Sequence, residues 1–258
     1  MRLRTRTAAV AAAMALLTAC SSSGTSASSS SSGKLAGSIT VFAASSLTEA
    51  FTTLADQFKK AHPGTNVTFS FDSSSTLAAN ITQGQDADVF ASASTSNMDT
   101  VAKAGDADTP TNFVSNTMEI ATPPGNPAGI KTVADLARSG VKVAVCDPAV
   151  PCGATAQQVF TNAKVSVKVT ANEPDVKSAL AVVESKEVDA GMVYVTDVRA
   201  AGDKVTGVEI PDSVNATTTY PIAVLKKSGN HDLAQAWVDY VLSDAGQQVL
   251  RADGFSKP

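Results

Sequence analysis

The stretch SITVFAASSLTEAF, residues 38–51, runs an apolar strand directly into a pair of serines that open a helix. The stretch VTFSFDSSSTLA, residues 67–78, repeats the arrangement with three serines. A helix N-terminus carries unpaired backbone N–H groups and the positive end of the helix dipole, and serine hydroxyls add donors there. Two such helix starts side by side predict a pocket for a small oxyanion.

Outward from these stretches, apolar runs bounded by turns alternate with helical patterns, which predicts an α/β fold with mostly parallel sheet. The pattern pauses near residues 121–125 and 213–219, and we expect the chain to cross there between two lobes. Lobe one then comprises residues 37–120 plus 218–258, and lobe two comprises residues 121–217. The predicted strands are residues 39–43, 66–71, 88–91, 118–122, 142–145, 165–170, 190–194, 207–210 and 220–225.

The N-terminal residues have the three sections of a secretory signal, with arginines, an apolar run over residues 8–17 and small residues before Cys20. The ending Leu17-Thr18-Ala19-Cys20 resembles a bacterial lipobox, which makes residues 1–19 a signal peptide and Cys20 the lipidated first residue of the mature protein. An ordinary signal peptide with an incidental cysteine is the alternative.

A serine-rich segment follows Cys20, and its composition is that of a flexible tether. We therefore expect residues 20–36 to anchor the protein at the outer face of the cytoplasmic membrane. The net charge of −4 disfavours a nucleic-acid partner. Cys146 and Cys152 can form a disulfide outside the cytoplasm, with two buried free thiols as the alternative.

Each candidate ligand group also has a purely structural explanation. Ser46 and Glu49 match a capping box, in which Glu49 would occupy the Ser46 N–H; alternatively, Glu49 turns to solvent. One serine of residues 73–75 can serve as an N-cap. The loop at residues 147–154 can be a plain strand-to-helix connection.

Two further groups complete the set. Pro174 suits a first helical turn and leaves the Val176 N–H without a partner. Tyr194 ends a strand, where its phenol can reach a pocket or simply pack. All these positions lie at carboxyl ends of strands or at helix starts, where ligands bind in open α/β sheets.

Taken in order, seven motifs resemble the extracytoplasmic molybdate-binding proteins of bacterial ABC importers over residues 37–258. The resemblance implies a two-lobed type II periplasmic-binding-protein fold, each lobe a mostly parallel sheet flanked by helices, with the ligand in the cleft. The motifs are FAASSLT (42–48), SSSTLA (73–78), ADVF (87–90), CDP (146–148), EPDVKSAL (173–180), VY (193–194) and YPIAV (220–224).

The resemblance further implies that the oxyanion is held by two serine hydroxyls, two main-chain groups and one tyrosine hydroxyl. Cys152 stands where a small residue such as alanine is expected. If Cys152 contributes its backbone N–H, the side chain should matter little. The implied ligand residues are Ser46, Ser74, Cys152, Val176 and Tyr194.

The implied function is high-affinity molybdate binding outside the cytoplasmic membrane by a monomer without cofactor. The closed form then docks on an ABC permease driven by a cytoplasmic ATPase. Tungstate or sulfate is the alternative ligand. A pocket of neutral donors favours fully deprotonated oxyanions over phosphate, which keeps a proton. Asp72 and Asp147 would weaken this selection, and we expect both to bind backbone instead.

Two other classes of protein fit less well. An enzyme would need a nucleophile elbow or a Ser-x-x-Lys set with partners, and neither is found. The two histidines, His62 and His231, are interpreted as surface or capping residues, and no metal cluster is visible. A surface adhesin or structural lipoprotein is the third alternative.

Overall fold

A computed structural model describes residues 35–258, in nine strands and eight α-helices. The predicted signal peptide, the lipidation at Cys20 and nearly all of the predicted tether lie outside the described residues. The strands are β1 (Gly37–Ala44), β2 (Thr65–Asp72), β3 (Val89–Ala91), β4 (Thr111–Thr122), β5 (Val143–Cys146), β6 (Val169–Glu173), β7 (Ala190–Tyr194), β8 (Thr206–Glu209) and β9 (Thr217–Val224). The helices are α1 (Thr48–Ala61), α2 (Ser74–Thr82), α3 (Thr95–Lys103), α4 (Pro151–Ala163), α5 (Val176–Glu184), α6 (Val195–Ala201), α7 (His231–Leu242) and α8 (Asp244–Ala252).

The strands pair in the order β2-β1-β3-β9-β4-β7-β5-β6, and β8 pairs with β4. Strand β1 runs parallel to β2 and β3, and β5 runs parallel to β6 and β7. All antiparallel ladders involve β4 or β9. The first part of β4 pairs with β9, and its second part pairs with β7 and β8, so one long strand joins the two parallel groups.

Eight of the nine predicted strands coincide with observed strands, and β7 has the predicted bounds. The strand predicted over residues 165–170 is displaced, because β6 begins only at Val169 and runs to Glu173. The clearest difference is β4, which begins at Thr111 rather than at residue 118. Its added part is mostly polar and lacks the apolar pattern of a strand. Polar side chains are tolerated there because they find partners: Asn116 Nδ2 donates to Thr196 Oγ1 at 2.8 Å, and Ser115 Oγ donates to the Lys257 carbonyl at 2.6 Å.

The buried apolar side chains form separate clusters. One cluster draws all its buried members from residues 118–216. A second draws them from residues 39–114 and 220–255 and centres on Trp237. A smaller third cluster lies around Phe90 and Met98. Every helix within residues 35–258 is too short or too polar to span a bilayer.

Phe51 of α1 is fully buried, and its ring lies 5.7 Å from that of Trp237 and 6.1 Å from that of Phe113, centroid to centroid. We expect Phe51→Ala to lower the free energy of unfolding by about 3–5 kcal/mol, because it removes buried surface and leaves a cavity. Urea unfolding followed by fluorescence of Trp237, the single tryptophan, measures the loss. The matched control is Phe71→Ala on β2, where the ring is only partly buried. Equal losses in the two variants would contradict this role of Phe51.

Candidate functional site

A small, partly open pocket lies where several helices begin. It contains all five residues that the sequence predicts as ligands, two from the first part of the chain and three from residues 152–194. No lysine or arginine is among its lining residues. These residues are Ala44, Ser45, Ser46, Asp72, Ser73, Ser74, Ala93, Pro151, Cys152, Asp175, Val176 and Tyr194.

The three serines at the start of α2, Ser73 to Ser75, have different roles. Ser73 is the N-cap, and its Oγ accepts from the Thr76 N–H at 3.2 Å. Ser74 Oγ accepts from the Ala93 N–H at 2.8 Å, which fixes the hydroxyl while leaving its hydrogen available to the pocket. Asp72 Oδ1 accepts from the Ser73 N–H at 2.5 Å, which confirms that Asp72 binds backbone.

Ser46 is not the helix cap that a capping box with Glu49 requires, so that interpretation is wrong. A 3₁₀ turn over Ser45–Leu47 precedes α1, and Ser46 Oγ lies 2.8 Å from the Tyr220 hydroxyl. Glu49 instead binds Lys177 Nζ, at 2.8 and 2.9 Å, from a helix 128 residues further along the chain. This long-range partner displaces the local one, so Glu49 does not occupy the Ser46 N–H.

Two buried tyrosines lie at the pocket: Tyr194 lines it, and Tyr220 contacts the lining residue Ser46. Tyr220 and Tyr194 are almost fully buried, with ring centroids 6.3 Å apart, and burial raises the pKa of both phenols above the usual range. Both therefore remain neutral donors. The buried Tyr194 hydroxyl makes no hydrogen bond within residues 35–258, although the hydroxyls of Thr155 and Tyr220 lie near it. Such a hydroxyl costs about 1–3 kcal/mol unless something binds it, and it lines the pocket.

A disulfide shapes the loop before α4. The sulfurs of Cys146 and Cys152 are bonded, with their Cα atoms 5.8 Å apart. Asp147 Oδ1 accepts from the Ala149 N–H at 2.8 Å, so Asp147 also binds backbone as expected. No side chain caps α4, and Cys152 is its second residue, so its N–H is among those without a partner inside the helix.

Helix α5 keeps its first N–H unoccupied as well. The cap Asp175 accepts from the N–H groups of Lys177 and Ser178, at 2.7 and 3.1 Å. The N–H of Val176, the first helical residue, does not donate to this cap. Val176 is buried and lines the pocket. The two carboxylates that line the pocket, Asp72 and Asp175, thus both bind main-chain groups.

An ion-pair cluster lies beside the pocket. Lys177 Nζ is 3.0 Å from Oδ1 of Asp197, which is fully buried. Burial raises the pKa of the Asp197 carboxyl, and Lys177 opposes this shift. Burial alone would lower the pKa of Lys177, but Asp197 and Glu49 together raise it. No group of three His, Cys, Asp or Glu side chains that could hold a metal ion occurs in residues 35–258.

Sequence reasoning gave no role to Tyr220, Lys177 or Asp197. Tyr220 and Lys177 do lie in motifs that carry the resemblance, YPIAV and EPDVKSAL. Their partners, however, are 174 and 128 residues away along the chain. A local pattern therefore gives no sign of the contacts.

The family model of bacterial extracellular solute-binding proteins matches residues 39–256. The chain belongs to this family. The match covers both parallel strand groups and every residue that lines the pocket.

Several individual proteins are similar to this chain over most of its length. A protein of Mycobacterium tuberculosis named molybdate-binding protein ModA is 46% identical over 224 residues, which is 86% of each chain. The protein of that name from Escherichia coli is 35% identical over 85% of this chain and 89% of its own. The solved periplasmic molybdate-binding protein of Azotobacter vinelandii superposes with a TM-score of 0.78 at 21% identity, over 85% of this chain and 99% of that one.

The two buried tyrosines predict a loss of stability as pH rises above about 10. An unfolded tyrosine ionises near pH 10.0, whereas burial keeps both phenols protonated in the folded protein. The unfolded state then binds fewer protons, so each phenol lowers the free energy of unfolding by up to about 1.4 kcal/mol per pH unit. Tyr220→Phe should reduce this slope in urea unfolding series at alkaline pH, and equal slopes in variant and wild type would refute the assignment.

Gly153 predicts a second effect, because a Cβ there would strike the Asp147 carbonyl oxygen and push the loop out of place. We expect Gly153→Ala to lower the free energy of unfolding by about 1–3 kcal/mol, as overpacking does. Urea unfolding measures the change. Gly229→Ala is the control, since nothing lies within 4 Å of its Cβ position. A Gly153→Ala protein as stable as this control would contradict the close approach.

Proposed function

We propose that this protein binds molybdate outside the cytoplasmic membrane and delivers it to an ABC import permease. The observation that carries the proposal is the buried Tyr194 hydroxyl, which lacks a partner in residues 35–258 and lines a pocket of neutral donors. The family membership and the similarity to proteins named for molybdate binding support this ligand.

The donor set suits a dianion. The proposed donors are the hydroxyls of Ser46, Ser74 and Tyr194 and the N–H groups of Cys152 and Val176. Hydrogen bonds to an ionised acceptor are roughly twice as strong as neutral ones, and a low local dielectric strengthens them further. The helices behind the N–H groups spread the ligand charge over their dipoles.

The same donor set selects among oxyanions. Molybdate, tungstate and sulfate carry no proton near neutral pH and accept only. Phosphate keeps a proton that needs an acceptor, whereas the Oδ1 atoms of Asp72 and Asp175 accept from backbone N–H groups. A proton left without a partner in a buried site costs affinity. Tungstate or sulfate is the alternative ligand.

We further propose that lobe one (residues 37–120 plus 218–258) and lobe two (residues 121–217) close over the ligand. Separate hydrophobic clusters for residues 118–216 and for the flanking segments support this division. Two contacts join the sides at the pocket: Ser75 Oγ donates to the Ala149 carbonyl at 2.8 Å, and Glu49 binds Lys177.

The remaining parts of the proposal concern location and partners. We propose a monomeric binding protein, without catalytic activity, that is held at the outer face of the cytoplasmic membrane by a lipid on Cys20. It hands its oxyanion to a permease driven by a cytoplasmic ATPase. The support is the family membership and the sequence of the first 20 residues.

Isothermal titration calorimetry with four oxyanions tests the ligand. We expect molybdate to bind tightly and phosphate to bind at least about tenfold more weakly, since an unmatched buried polar group costs about 1–3 kcal/mol. Ser74→Ala and Tyr194→Phe should each weaken molybdate binding by roughly ten- to hundredfold. Ser166→Ala, an exposed serine outside the pocket, is the control. Equal affinities for phosphate and molybdate would reject the selection argument, and tighter sulfate binding would favour the alternative.

A further inference from the structure

Lys177 joins three helices, and each of them begins beside a residue of the pocket. Its Nζ lies 2.8 Å from Glu49 in the first turn of α1 and 3.0 Å from Asp197 in the first turn of α6. Lys177 itself is the second residue of α5. The pocket residues at these three helix starts are Ser46, Tyr194 and Val176.

We propose that Lys177 is a positioning residue whose bond to Glu49 holds the oxyanion pocket closed and so sets how slowly the ligand leaves. The proposal rests on the proposed function, because it concerns the same pocket. It assigns Glu49 a role in affinity although Glu49 is not among the residues lining the pocket.

One half of the cluster fixes the Tyr194 side of the pocket. Asp197 is fully buried, and its Oδ2 accepts from the Tyr194 N–H at 3.1 Å while its Oδ1 pairs with Lys177. Lys177 also donates its backbone N–H to Asp175, the cap of α5. These contacts link the ammonium, the tyrosine backbone and the start of α5.

The other half of the cluster is the bond across the cleft. Glu49 comes from α1, whose buried face packs in the cluster around Trp237, whereas Val176 and Tyr194 pack in the cluster of residues 118–216. The Glu49 side chain is 47% exposed and that of Lys177 is 26% exposed. Separating α1 from α5 breaks this bond but leaves the buried Lys177–Asp197 pair intact, so opening exposes no unpaired buried charge.

Electrostatics and positioning predict opposite effects for Glu49. A carboxylate near a dianion repels it, so neutralising Glu49 strengthens binding if charge alone matters. If Glu49 holds the pocket closed, neutralising it weakens binding instead. The sign of the change therefore separates the two explanations.

The test is Glu49→Gln in the full chain, with affinity measured by calorimetry and release measured by chasing radiolabelled molybdate with unlabelled excess. We expect affinity to fall about fivefold, the equivalent of one partly exposed ion pair, with a matching rise in the release rate. The melting temperature of the ligand-free protein should stay near that of wild type, because the variant breaks only the bond across the cleft.

The matched control is Asp253→Asn. Asp253 lines the same cavity as Glu49 and has the same charge, but it does not contact Lys177. We expect its loss to leave molybdate affinity unchanged or slightly higher. Added salt should weaken wild-type affinity more than that of Glu49→Gln, since the wild type alone retains the screened pair.

The outcomes separate the two proposals. If wild type binds none of molybdate, tungstate and sulfate, the proposed function fails and this inference falls with it. If wild type binds and Glu49→Gln binds as tightly or more tightly, the positioning role alone is overturned. A lower melting temperature with unchanged affinity also overturns it, because Glu49 would then serve only the fold.

Discussion

The first N–H groups of a helix have no partner inside the helix, and something outside must bind them. Most proteins use a side-chain cap or water. Around this pocket the caps leave some N–H groups without a bond. Asp175 accepts from the N–H groups of Lys177 and Ser178 but not from that of Val176, and no side chain caps α4. An oxyanion is the partner that suits such groups. Such a site requires several helix starts to meet at one point, and the arrangement of the strands brings them there.

Strands β4 and β9 supply this convergence. Each parallel group ends its strands in helix starts on one side, as open α/β sheets do. Because β4 pairs with β9 over one part and with β7 and β8 over another, the two groups face each other across the pocket. One of the polar residues that make the first part of β4 unlike a strand, Asn116, bonds across this junction to Thr196.

Local sequence patterns predict some of these features and miss those that depend on distant contacts. Strand–helix alternation predicts the fold class and eight strands close to their observed positions, and the family resemblance implies five residues that the structure brings to one pocket. It failed where a distant partner outweighs a local one. Ser46 and Glu49 match a capping box, yet Tyr220 and Lys177 take their side chains. The start of β4 was missed for the same reason, since its burial depends on side chains from elsewhere in the chain.

The charged groups around the pocket favour binding by correctly placed hydrogen-bond donors over binding by electrostatic attraction of anions. A lysine directed at the ligand would bind many anions, phosphate among them, with little discrimination. Lys177 instead faces two carboxylates, so the group of Glu49, Lys177 and Asp197 carries a net charge of −1 and offers no general attraction to anions. Under the proposed function, selectivity comes from neutral donors held in fixed directions. Holding them still requires rigid supports, which the disulfide at Cys152, the close approach at Gly153 and the buried Asp197 each provide.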